Sequence, residues 1–221
     1  MNYLTHKLLN SEELEILRKN LAKDSLEWKD GKLTAGKHAA KGKNNLQLTR
    51  DSDLSIKFSG LITKKILSNE LIKSFALPKK IHGTIFSKST SGMKYGRHID
   101  NAYMSSGRAD LSFTVFLNCK KKYEGGALSI EGLNSEEKFK LDAGEIIIYP
   151  STYLHSVEKV IDGERLVFIG WIESYVKSIE EREYLFDLDA AARSLLSKYG
   201  RSEEVDLIYK SYSNFLRRLG N

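Results

Sequence analysis

Two histidines, one aspartate and one arginine carry the chemistry this sequence offers. Of five histidines, at positions 6, 38, 82, 98 and 155, only one heads an H-x-D: His98-Ile99-Asp100. Side chains two apart on an extended backbone share a face, so this imidazole and carboxylate can hold one ion from one strand while Ile99 faces the other side. A facial metal site needs a third ligand. His155, 55 residues past the aspartate and between two strand-like runs, is the candidate. Two histidines and a carboxylate on one face of an octahedron leave the opposite face open, which suits Fe(II) that must bind a cosubstrate and oxygen together; structural zinc would want a closed shell. Alone the triplet says little, since chance supplies an H-x-D in roughly one such chain in four.

Arg165 adds the missing specificity. It stands ten residues beyond His155, at the head of Arg165-Leu166-Val167-Phe168-Ile169-Gly170-Trp171. Strand alternation puts it on the face of Val167, Ile169 and Trp171, where a guanidinium is costly unless an anion pairs with it. Two partners fit. One is an internal Asp or Glu. The other, and with the triad upstream the better reading, is a dicarboxylate cosubstrate that chelates the metal at one end and sets its distal carboxylate in a bidentate fork on Arg165.

These residues need a β core to bring them together, and the periodicity supplies one. Between Lys80 and Glu173 the apolar spacing falls to two: Leu111, Phe113, Val115 and Leu117 alternate with Ser112, Thr114, Phe116 and Asn118, and similar runs recur at 127–131, 145–149 and 165–172. Helical spacing flanks it. Asn10 or Ser11 caps a helix to Lys23 with Leu14, Leu17 and Leu21 on one face; a turn signal follows at Trp28-Lys29-Asp30-Gly31. A second helical stretch, 52–74, breaks near Ser68-Asn69 and closes before Pro78. The tail from about Val176 returns to helix, punctuated by Gly200 and Gly220. The expected fold is α+β: a jelly roll with helices on both sides, divided into an N-terminal helical and β extension (1–78), the core (79–175) and a C-terminal helical extension (176–221).

Composition narrows the class. The chain has 221 residues, 41% hydrophobic, with only 2 prolines, which excludes a disordered or Pro-rich protein. Its one cysteine, Cys119, allows no internal disulfide, and no apolar run approaches the roughly 20 residues of a membrane span, so a cytoplasmic protein without membrane partners is expected. Lys+Arg 35 against Asp+Glu 29 gives +6, which raises nucleic acid as a partner. The lysines at 29, 32, 37, 41 and 43 and the run 120–122 lack interleaved arginines and aromatics, and read as solvated surface.

At the level of motifs the chain resembles the iron and 2-oxoglutarate dioxygenases, and within them the PKHD-type hydroxylases, a bacterial branch akin to prolyl 4-hydroxylases. The likeness runs almost end to end: Lys43-Asn44-Asn45, Tyr95-Gly96-x-His98-x-Asp100, Asp110-Leu111-Ser112, Tyr123-x-Gly125-Gly126, Leu141-x-Ala143-Gly144-Glu145, Tyr149-Pro150-Ser151 and Leu185-Phe186-x-Leu188-Asp189. What the resemblance implies is a double-stranded β-helix core, Fe(II) on His98, Asp100 and His155, and the distal carboxylate of 2-oxoglutarate on Arg165. It further implies O2 as oxidant, L-ascorbate binding, and hydroxylation of a small molecule or a peptidyl residue such as proline, coupled to release of succinate and CO2. Members often carry a tyrosine nine positions before the first ligand histidine; here Ser89 stands there, leaving Tyr95 as the nearest phenol for the cosubstrate pocket.

The remaining residues read more simply. His6, His38 and His82 lack a spaced partner and are expected to be surface or hydrogen-bonded core histidines, Gly125-Gly126 a tight connection, and Cys119 an inert thiol. Asn44 and Asn45 are either turn formers or substrate-facing. Two other functions stay open on sequence alone: an oxidative demethylase acting on nucleic acid, and a non-catalytic jelly-roll binding module. The amphipathic C-terminal helices are expected to dock on the core or on a second subunit of a homo-oligomer.

Overall fold

Leu111, Phe113 and Val115 alternate with Ser112, Thr114 and Phe116 along one strand, and all six are buried. A strand buried on both faces must lie between two layers. The computed structural model, which describes residues 3–34, 36, 40–132 and 134–220, shows those layers. The N-terminal part supplies β1 (Leu4–Lys7), α1 (Ser11–Leu21), β2 (Trp28–Asp30), β3 (Lys43–Asn44), β4 (Leu46–Leu48), α2 (Asp53–Ser68) and α3 (Glu70–Ala76). Next come β5 (Pro78–Thr90), β6 (Lys94–His98), β7 (Tyr103–Met104), β8 (Gly107–Arg108), β9 (Leu111–Phe116), β10 (Tyr123–Gly125) and β11 (Leu128–Glu131). The chain then runs through β12 (Glu136–Phe139), β13 (Glu145–Pro150), β14 (His155–Val157) and β15 (Val160–Ser174) to α4 (Ile179–Tyr199) and α5 (Glu203–Leu219).

The strands pair antiparallel in a major sheet of order β1-β13-β9-β15-β5-β4-β2, with β10 attached to β15, and a minor sheet of order β12-β11-β14-β6-β3; β7 and β8 form a separate hairpin. One face of the major sheet lies under the N-terminal helices, where Leu14, Leu17, Phe58, Ile62 and Ile66 join Phe86, Phe113 and Phe168 in one buried cluster. The opposite face meets the minor sheet through Phe116, Ile147, Tyr149 and Val167 against Leu128, Ile130 and Phe139. This is the expected α+β jelly roll flanked by helices.

Local signals set most boundaries. Asn10 closes a capping box: its side chain accepts from the Glu13 N–H at 2.9 Å while the Glu13 carboxylate accepts from the Asn10 N–H at 3.0 Å. The break near Ser68-Asn69 is real, because the Asn69 side chain caps α3 by accepting from the Ile72 N–H at 3.0 Å. The segment Trp28-Lys29-Asp30-Gly31 is a correction: instead of a turn, Trp28–Asp30 is an edge strand paired with Leu48, Gln47 and Leu46. Three residues are too few to register a period of two, and the Lys88 ammonium 4.3 Å over the Trp28 ring helps hold them to the sheet. Only then does Gly31–Thr34 turn, as one stretch of 3-10 helix.

The C-terminal helices dock on this chain. Phe186 of α4 meets Phe75 of α3 edge-on at 5.9 Å, the Ser74 hydroxyl donates to Asp189 at 2.6 Å, and Leu185 packs with Leu77 and Val176 beside Tyr212, Leu216 and Leu219. Among the described residues no helix is long and apolar enough to cross a membrane.

Phe168 is fully buried, with its ring 4.8 Å from Phe86 and 5.9 Å from Phe113. Phe168→Ala is expected to cost about 3–5 kcal/mol, read as a lowered urea midpoint with an unchanged m-value.

Candidate active site

The two sheets part at one end to leave a cavity of about 520 Å3 that both sheets line. His98 ends β6 and His155 begins β14, and the register of these neighbouring strands sets the two residues opposite each other, with ring centroids 4.2 Å apart. Asp100 does not continue the strand, as an extended H-x-D would; β6 stops at His98 and Ile99 is 53% exposed at the mouth. What returns Asp100 to the histidines is the opposite sheet. Its Oδ2 accepts from the Ser112 hydroxyl at 2.6 Å and from the Trp171 indole N–H at 2.9 Å, and Ser112 is in turn 2.8 Å from the Ser151 hydroxyl.

One ligand atom from each of His98, Asp100 and His155 falls within 4.8 Å of the others, close enough to share one metal ion. The tautomers agree. A carbonyl only accepts, so His98 Nδ1 must donate to Gly96 O (2.8 Å) and His155 Nδ1 to Tyr153 O (3.0 Å), which leaves the Nε2 lone pairs free for a metal. Burial, reinforced by the neighbouring His155, pushes His98 well below the usual histidine range, so it stands neutral at physiological pH. Tyr95 stacks on the His98 ring at 3.6 Å and 21°, which fixes the plane of that imidazole.

Arg165 lines the same cavity from the major sheet and is 4% exposed. Among the described residues no carboxylate pairs with it, its Nε has no hydrogen-bond partner, and its guanidinium lies 5.6 Å from the Phe116 ring centroid. That removes the internal Asp or Glu as its partner. Beside it the Tyr123 hydroxyl is also buried without a partner, and burial raises the pKa of that phenol, so it stays a proton donor. Ser89 faces Arg165 across β5 and β15 and is itself buried, so the position that often carries tyrosine in similar proteins adds no phenol here. A buried, unpaired guanidinium with a free phenol beside it has the donors to pair with a carboxylate.

Several sequence readings sort themselves by position. Asn45 lines the cavity, whereas Asn44 is exposed and takes no part in it. Lys43, read with its neighbours as solvated surface, is 5% exposed and lines the cavity; alternation on β3 turns it inward as Asn44 turns out. His82 is a satisfied core histidine, held by the Ser106 hydroxyl and Arg108 O at 2.9 Å each, and His6 meets the Asn69 amide at 2.9 Å. His38 and Lys37 lie outside the described residues. Cys119 is half-buried and outside the cavity. Sequence reasoning assigned no role to Lys43, Ser112, Tyr123, Tyr149 or Ser151, although each stands in a motif that carried the resemblance.

The comparisons with known proteins agree with this geometry. A family model described as the 2OG-Fe(II) oxygenase superfamily matches residues 84–173. PKHD-type hydroxylases from Prochlorococcus marinus strains MIT 9215 and MIT 9515 are 74% identical over 220 residues and 69% over 221, with all of each chain covered. Among solved structures, a Pseudomonas putida prolyl-4-hydroxylase superposes with a TM-score of 0.54 at 16% identity, over 78% of this chain and 92% of that one. HygX from Streptomyces hygroscopicus, solved with nickel, 2-oxoglutarate and hygromycin B, gives 0.55 at 11% identity over 79% and 84%. At such identities the structures speak for the fold.

Gly126 sits at φ +65°, and a Cβ there would lie 3.0 Å from Val160 Cγ2 and 3.2 Å from Arg165 Cδ. Gly126→Ala is therefore expected to destabilise the protein by about 1–2 kcal/mol, measured by denaturant unfolding.

Proposed function

The chain belongs to the PKHD-type hydroxylases of the 2OG-Fe(II) oxygenase superfamily and works with Fe(II) and 2-oxoglutarate, and from that premise we propose how its residues divide the work. His98, Asp100 and His155 hold the iron, and Arg165 receives the distal carboxylate of 2-oxoglutarate. The reaction couples conversion of 2-oxoglutarate and O2 to succinate and CO2 with hydroxylation of a C–H bond in a small-molecule or peptidyl substrate. The observation that carries this reading is a buried arginine with no acid partner among the described residues, opening into the cavity that the His-Asp-His cluster also lines.

Iron held by His98, Asp100 and His155 would supply the redox chemistry that places one oxygen atom of O2 in succinate and the other in the hydroxylated product. The chain's own residues supply position and dryness. Backbone carbonyls of Gly96 and Tyr153 hold the two imidazoles in the tautomer that presents Nε2, and Ser112 and Trp171 hold the Asp100 carboxylate in place. Tyr95 keeps the His98 ring in its plane, while Tyr123, rather than Tyr95, offers its hydroxyl beside Arg165. Phe116, Val167 and Tyr149 wall this end off from water, where a bidentate ion pair is strong.

Three variants separate the roles. Asp100→Ala is expected to abolish both Fe(II) binding and 2-oxoglutarate-dependent succinate release, measured with anaerobically loaded protein. Trp171→Phe, which deletes one of the two donors to Asp100, is expected to weaken Fe(II) binding by about tenfold or more. Arg165→Lys is expected to weaken 2-oxoglutarate binding by about tenfold with iron affinity unchanged, because a point charge cannot reproduce the guanidinium fork. Equal loss of both affinities in Arg165→Lys would mean that the residue serves folding and would overturn its assignment.

A further inference from the structure

Lys43 is a second buried cation in the same cavity, and the iron and 2-oxoglutarate roles leave it unused. It is 5% exposed, and among the described residues no carboxylate lies within ion-pair distance of its ammonium group. Its recorded contacts are one hydrogen bond to the Thr34 hydroxyl at 3.1 Å and the face of the Tyr95 ring at 4.9 Å. Asp100 and Asp30 act on it only through space, against the repulsion of Arg50, and burial pushes its pKa down to about 8. An ammonium has three donors, so this one is under-satisfied in a place where that is costly.

The surroundings are organised around the same point. Thr34 donates to Gln47 Oε1 at 2.6 Å while accepting from Lys43, so one hydroxyl ties the two side chains together. Gln47 is 4% exposed, and among the described residues its Nε2 has no partner. Asn45 clamps the turn that carries Thr34: its backbone carbonyl accepts from the Gly31 N–H at 2.8 Å, its amide donates to Ser87 at 2.7 Å, and its Oδ1 occupies the space a Cβ on residue 31 would need. Two neighbouring buried side chains thus keep donors in reserve. The location is equally specific. Lys43 pairs with Tyr95 across β3 and β6, and the Tyr95 ring stacks on His98, so the ammonium stands one aromatic ring from the triad and on the sheet opposite Arg165.

We propose that Lys43, with Gln47 and the bridging Thr34, forms a subsite for a carboxylate of the substrate, distinct from the 2-oxoglutarate anchor at Arg165. The inference rests on the hydroxylase reading above and names its substrate class: a carboxylic acid whose reacting C–H bond lies between Lys43 and the iron position. Two donor side chains match the two oxygens of a carboxylate, and one buried ammonium matches its single charge. The rest of the substrate leaves past Leu33, Ile99 and Tyr103, which line the cavity and are 75%, 53% and 73% exposed. Exposed apolar side chains at the rim favour an aliphatic or aromatic body.

The test uses protein loaded with Mn(II) and saturating 2-oxoglutarate, and reads paramagnetic relaxation of the protons of three probes: butanoate, its methyl ester and propyl phosphate. Butanoate is expected to bind saturably and the other two at least about tenfold more weakly. Lys43→Met should weaken butanoate by about tenfold or more and Lys43→Arg much less, with Mn(II) and 2-oxoglutarate affinities within about twofold of wild type in both. The subsite is overturned by no saturable butanoate effect, by equal binding of the ester, by tighter binding of the phosphate, or by a Lys43→Met protein that binds butanoate like wild type. A Lys43→Met protein that loses 2-oxoglutarate as well would make Lys43 a cosubstrate residue and also overturns it. Loss of 2-oxoglutarate binding in the wild type is read before any probe is added and counts against the hydroxylase assignments instead; the same butanoate titration on metal-free protein, followed by tryptophan fluorescence, then tests the subsite separately.

Discussion

Two hydrogen bonds across the gap between the sheets, from Ser112 and Trp171 to Asp100 Oδ2, hold the site in register. The histidines need no such help, because His98 and His155 are set opposite each other by strand pairing within the minor sheet. Asp100 has left that sheet, and only donors from β9 and β15 bring its carboxylate back. A carboxylate without them would turn toward water at the mouth, since an unpaired buried charge is costly. The site is therefore a property of how the two sheets face each other. The stacked layers beneath them, with Phe168 between Phe86 and Phe113, are what keep that facing constant.

A second constraint shapes the cavity. Burying polar groups without partners destabilises a fold, yet among the described residues this interior keeps three donors, Arg165 Nε, the Tyr123 hydroxyl and Gln47 Nε2, and one acceptor, Asn45 Oδ1, unpartnered, and Lys43 without an acid. They are not scattered. Arg165 and Tyr123 lie beside Phe116, while Lys43 of the minor sheet and Gln47 of the major sheet converge on Thr34, so the unpaired donors gather at two places.

Much of this was legible along the chain. The H-x-D and the later histidine named three side chains that cluster, period-two spacing named the sheets, and the capping box at Asn10 and the break at Asn69 named helix ends, because strand period and helix caps depend on residues within a few positions of each other. Other features escaped because they depend on contacts across many residues. Trp28–Asp30 is a strand only because Leu46–Leu48 lies beside it. Lys43 counted as one more surface lysine until β3 paired with β6 and turned it inward. The sequence favoured a cosubstrate over an internal acid as the Arg165 partner, but that no acid of the described residues reaches this guanidinium needed the placement of those acids in space.

The sequence by itself determined the kinds of groups present and the local geometry that spacing enforces: which side chains can bind a metal, which faces are apolar, where helices start and stop. The tertiary structure decided which of those groups meet. Metal chelation and the pairing of buried charge act over a few ångströms, and residues 55 or 71 positions apart reach that range only when the sheets that carry them have packed.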